Sequence, residues 1–129
     1  MTIHFRQRKR FSKNFEGLSK EGKEILTKEL RKWKIMGIEH IKYRSKHLKG
    51  EYAGIRKISL GRMRLYFLIC DECRKLGDDI KYGRCKKCPR EPDLINLVDV
   101  IEFRREDTYD NLDFETEDVK DFTDGTYEV

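Results

Sequence analysis

No apolar run in the 129 residues approaches the roughly 18 needed to span a bilayer, and the N-terminus MTIHFRQRKR lacks the apolar segment of a secretory signal. These absences exclude a membrane protein and imply an intracellular, cytoplasmic chain. Internal repeats and low-complexity tracts are missing too, which leaves a single domain burying roughly two-thirds of its unfolded surface. Apolar residues make up only 37% against 41% charged, so the core must be compact and the surface densely ionic. Histidine is scarce: His4, His40 and His47 stand in no catalytic spacing and read as surface residues. Cysteine is absent outside Cys70–Cys88.

Acidic residues are scarce at the start of the chain. Residues 1–70 carry 19 Lys/Arg against 6 Asp/Glu (+13), 71–110 carry 9 against 11 (−2), and 111–129 carry 1 against 7 (−6), which sums to the net charge of +5. A basic body with an acidic tail suits a polyanionic partner such as nucleic acid, or is simply a solvated basic surface. Folded back over residues 57–64, the tail would inhibit in cis.

The stretch GIRKISLGRMRLYFLIC, Gly54–Cys70, reads as a hairpin about a Gly61-Arg62 turn. This register sets Leu60 opposite Met63, Ser59 opposite Arg64, Ile58 opposite Leu65 and Lys57 opposite Tyr66. Side-chain alternation then puts Ile58, Leu60, Met63, Leu65 and Phe67 on a core face, and Lys57, Ser59, Arg64 and Tyr66 on a cationic one. Before it, Thr2–Arg6 suits a short strand. Phe11, Phe15 and Leu18 have helical spacing, and Ser19 can cap a second helix through Ile25, Leu26, Leu30 and Trp33 to about Met36, stopped by Gly37. Residues 37–52, with Lys42, Arg44, Lys46 and Lys49, read as a linking loop, either solvated or forming a phosphate-contacting rim. LINLVDVIEF, Leu94–Phe103, suits a central strand covered on both sides. RREDTYD suits a short helix, and the polar tail offers Phe122 and Tyr127 as docking groups.

The cysteines form Cys70-x2-Cys73 and Cys85-x2-Cys88, separated by eleven residues. Two such pairs converge on one tetrahedral zinc, each presenting two sulfurs to a common point. Four thiolates leave no open position, so the zinc would be structural and would tie off a connection of roughly 23 residues between two strands. Disulfides and redox-active thiols are the alternatives, the former disfavoured inside cells.

In order and spacing, KELRKWK, HLKG, GIRKISLGRMRLYF and INLVDVIEFRREDTYD resemble the RelE/ParE toxin superfamily over residues 1–70 and 92–110. The resemblance implies an α+β fold, with an N-terminal strand and two-helix hairpin packed on a small antiparallel sheet. A toxin domain over residues 1–110 would be interrupted by a zinc-knuckle insertion at 70–92 between two sheet strands and followed by the acidic tail 111–129. It further implies a toxin that cleaves mRNA on the ribosome and is neutralised by a cognate antitoxin. Lys57, Arg64, Arg104 or Arg105, and Tyr109 match its catalytic positions, with Lys46, Lys49, Arg56 and Arg62 as flanking RNA contacts. On that reading the arginines hold the phosphate, Lys57 accepts the 2′ proton, and Tyr109 stacks on a base or donates a proton. Ser59 stands where the family has a second basic residue, and Phe103 where many relatives have His. Both departures favour the alternative of a non-catalytic protein, either a ParE-like gyrase inhibitor or a zinc-stabilised RNA binder.

Overall fold

The computed structural model describes residues 3–48, 54–77, 93–103 and 126–129. Its elements are β1 (His4–Gln7), α1 (Lys9–Glu16), α2 (Lys20–Met36), α3 (Ile38–Arg44), β2 (Lys46–His47), β3 (Ile55–Leu60), β4 (Met63–Ile69), α4 (Cys70–Leu76), β5 (Leu94–Glu102) and β6 (Thr126–Tyr127). The described strands form one sheet in the order β2-β3-β4-β5-β1-β6, an α+β architecture with β5 inside it. The sheet is mixed rather than antiparallel, because β1 runs parallel to β5, His4 beside Leu94 through Gln7 beside Leu97. A parallel pair needs a long crossover, and everything between β1 and β5 supplies it.

The hairpin register is the expected one, from Ile55 opposite Leu68 to Leu60 opposite Met63, and Gly61 takes the positive φ of 62° that the turn requires. Its core face, with Ile58, Leu60, Met63, Leu65 and Phe67, packs under α1, α2 and α3 against Phe11, Leu26, Leu30, Trp33 and Ile41. Trp33 lies against Phe67 with ring centroids 4.8 Å apart. Ser19 caps α2 by accepting the Gly22 N–H, and Gly37 at φ 87° ends it.

Within the loop expected over 37–52, the described residues 37–48 hold a helix and a short strand. Ile38 and Ile41 anchor α3 on the core, and β2 then pairs with β3. Two apolar residues among so many cations are a faint helical signal, and packing supplies what periodicity does not. The first strand is shifted two residues from its expected start, with Ile3 and Phe5 still buried. The described end of the tail returns as β6, antiparallel to β1, and Tyr127 sits edge-on to Phe5, Phe11 and Phe15. The expected helix at RREDTYD, Phe122 and the acidic stretch 111–125 lie outside the described residues. No described helix is long and apolar enough to cross a membrane.

Candidate nucleic-acid interface

Among the described residues, the face of the hairpin away from the three helices is covered only in part. Ile55, Tyr66, Leu68 and Val98 form a second apolar cluster there, closed by Cys73 of α4 and flanked by Leu48 and Ile101. Toward the turn the cover formed by the described residues ends at half-buried Lys57 and Arg64 and exposed Ser59. Sheet pairing aligns them in two rows. One runs Lys46, Lys57, Tyr66, Asp99 across β2 to β5, the next Ser59, Arg64, Ile101. Lys46 directly opposes Lys57, a like-charge pair that weakens a sheet unless an anion lies between.

Arg64 is held in place. Its Nη1 donates to the Gly61 and Met63 carbonyls, both at 2.8 Å, and its guanidinium carbon lies 5.6 Å from the centroid of the Phe103 ring. Phe103 is 6% exposed and tied to the hairpin by its N–H, which donates to the Arg62 carbonyl at 2.8 Å. Glu102, one residue earlier, reaches the helical side and accepts both the Ser19 N–H (2.9 Å) and the Ser19 hydroxyl (2.7 Å). The end of β5 is thereby fixed from both faces of the sheet.

Tyr66, placed by alternation on the cationic face, is 2% exposed. Burial first, then the Asp99 charge, push its phenol up to about 12, against the pull of Arg64. It is therefore a neutral donor at physiological pH. Asp99 sits at a β-bulge, where Tyr66 pairs with Asp99 and Phe67 with Leu97, leaving Val98 as the extra residue. Its carboxylate is fully buried and accepts from Asn14 Nδ2 (2.6 Å), Arg10 Nε (3.1 Å) and the Val100 N–H (2.8 Å). Burial nonetheless outweighs these donors and holds its carboxyl above the usual carboxylate range. Sequence reasoning missed this network. The lone carboxylate inside LINLVDVIEF was the available signal.

Arg56, expected among the RNA contacts, is placed otherwise. It alternates to the face opposite Lys57, is 7% exposed, and donates through Nε (3.0 Å) and Nη2 (2.9 Å) to the Glu72 carboxylate. Its Nη1 donates to Ser45 Oγ at 3.0 Å and to the Lys42 carbonyl at 3.3 Å. His47 Nε2 lies 3.3 Å from the same Glu72. Arg56 is thus a buried clamp joining α4 to α3 and β3, with its charge spent on Glu72.

Lys46 and Arg62 are exposed, on the edge strand and at the turn. Cys70 and Cys73 are both buried and lie one turn apart on α4. Lys49, Arg104, Arg105, Tyr109, Cys85 and Cys88 lie outside the described residues.

The α+β fold of the chain is RelE-like. Among solved structures the chain is similar to the RelBE2 toxin–antitoxin complex of Mycobacterium tuberculosis, with a TM-score of 0.50, 13% identity, and coverage of 80% of this chain and 100% of that one. At that identity the likeness is one of fold. No protein-family model matches the chain, and no curated protein matches it.

Proposed function

We propose that the protein is the toxin of a toxin–antitoxin pair and cleaves messenger RNA on the ribosome through the face bearing Lys57 and Arg64. The observation that carries this reading is the directly opposed pair Lys46–Lys57, with Arg64 in the adjoining row of the same face. Cations so placed repel one another until a polyanion lies across them, and a phosphodiester backbone supplies that charge. The shared fold with a chain of a toxin–antitoxin complex supports the class and an antitoxin as partner.

The chemistry asks little of the protein. The 2′-hydroxyl attacks the adjacent phosphorus, the 5′-oxygen of the next nucleotide leaves, and the products carry a 2′,3′-cyclic phosphate and a 5′-hydroxyl. Arg64, joined by Arg104 or Arg105, binds the phosphate and stabilises charge building on it, Lys57 serves the attacking hydroxyl, and Tyr109 stacks on a base or protonates the leaving oxygen. Cys70 and Cys73, which share one face of α4, would hold a structural zinc together with Cys85 and Cys88, and Glu72 on the same helix would join that module to the sheet.

A purified translation system programmed with a defined message tests the reading by mapping new 5′ ends with and without ribosomes. Ribosome-dependent cuts bearing 5′-hydroxyl ends are expected. An intact message would favour a binding protein of the same fold, to which the exposed Ser59 and the apolar Phe103 lend weight, and gyrase-dependent DNA breaks would then pick out the ParE-like case.

A further inference from the structure

Phe103 brings no proton-transfer group to the candidate site, yet it touches both the hairpin turn and the Arg64 guanidinium. Its backbone N–H donates to Arg62, its ring is almost wholly buried, and Arg64 lies over that ring while its Nη1 bonds the Gly61 and Met63 carbonyls. From the helical side, Glu102 bonded to Ser19 prevents the end of β5 from shifting. An arginine on an unconstrained surface loses rotamer freedom when it grips a phosphate. Here the turn carbonyls and the ring have already removed much of it.

We infer that Phe103 is a positioning residue: its ring is a platform that holds the Arg64 guanidinium ready for a phosphate, in place of an acid–base group. The inference rests on the proposed RNA-directed function and specifies how its site works. At this position the site then contributes fixed positive charge, with no imidazole taking part. Two consequences separate this role from simple packing. Cleavage by the wild-type protein has no imidazole-like inflection between pH 6 and pH 7. Removing the ring also has no further effect on RNA once Arg64 is gone, because the ring acts through Arg64.

The test is a double-mutant cycle on Phe103→Leu and Arg64→Gln, read as affinity for a 2′-O-methyl RNA that binds without being cut. Phe103→Leu alone is expected to weaken binding by about three- to tenfold, the range of a partly exposed cation–π contact. In the Arg64→Gln background it is expected to change binding by less than about 1.5-fold. Phe103→Tyr, which keeps the ring, should restore most of the affinity, whereas Phe103→His should add a pH inflection near 6–7. Equal losses from Phe103→Leu in both backgrounds would overturn the inference, as would an imidazole-like inflection in the wild type. Side-chain NMR keeps the test separate from the RNA reading. Arg64 Hδ and Hε resonances should be shifted upfield by the ring and lose that shift in Phe103→Leu, whether or not the protein binds RNA. Unshifted Arg64 resonances in the wild type would sink the platform itself.

Discussion

Replacing Asp99 by Ala should destabilise the fold by about 2–3 kcal/mol, although the change removes a charge from the interior. Asp99 accepts three hydrogen bonds, from Asn14, Arg10 and the Val100 N–H. Bonds to a charged acceptor contribute roughly 1.5–3 kcal/mol each, but Arg10 is 31% exposed, so water screens its share. Against their loss stands the desolvation cost that the substitution relieves, several kcal/mol for a carboxylate, leaving the net figure given. Thermal unfolding should show a drop of about 10 °C for a chain of this size. The pH dependence is sharper. Burial holds the folded-state Asp99 carboxyl above its unfolded value, so the folded chain binds that proton more tightly. Its contribution is therefore fully present below the unfolded pKa of roughly 4 and is lost as pH rises through the folded pKa. Asp99→Asn cannot titrate. Denaturant unfolding of both proteins from pH 7 down to pH 4 should accordingly show the wild type gaining on Asp99→Asn as pH falls. A wild type that loses ground on acidification would contradict this, because Asn14 and Arg10 would then prevail over burial.

Gly22→Ala would gain helix propensity in α2, up to about 1 kcal/mol, yet it should lower stability by about 1 kcal/mol. The new Cβ would lie 2.6 Å from Glu102 Oε2, displacing the carboxylate that bonds Ser19. In a Glu102→Ala background the same substitution should be neutral or stabilising in thermal unfolding, and a loss there would refute the reasoning. For the zinc module, native mass spectrometry should find one zinc per chain, lost in Cys73→Ser, and a chelator should lower the melting temperature. A metal-free protein with unchanged melting would end that proposal. Arg56→Met should weaken α4 docking and speed proteolysis within residues 70–77 while changing the salt slope of RNA binding by much less than one unit, because its charge already faces Glu72. A drop of a full unit would restore Arg56 to the RNA contacts.

The hairpin was legible because three local rules agree over Gly54–Cys70: a glycine at the turn, alternation on both strands, and opposite faces of opposite character. Ser19 and Gly37 likewise bracket α2 with capping chemistry that reads directly from residue type. The parallel β1–β5 pair was not legible, since nothing local in four residues specifies direction and the choice is made by the crossover. Nor was the character of single polar residues in the sheet. Arg56 and Lys57 look alike in sequence, and although alternation puts them on opposite faces, the clamp itself depends on Glu72, Ser45 and Lys42, which lie on other elements. Asp99 is of the same kind, for its partners Arg10 and Asn14 lie on α1, far away along the chain. Positions set by short-range pattern were therefore legible, and those set by long-range pairing were not.

The face holding Arg64, rather than the positive charge of the chain as a whole, is expected to act on RNA. Arg64→Gln and a charge-matched control on the exposed side of α2, Lys32→Gln, should be compared for the rate of ribosome-dependent message cleavage. Arg64→Gln is expected to lose about 10²–10³-fold, the magnitude of a lost transition-state donor, with Lys32→Gln within about threefold of wild type. Equal rates for the two variants, or no cleavage by any of the three proteins, would contradict it.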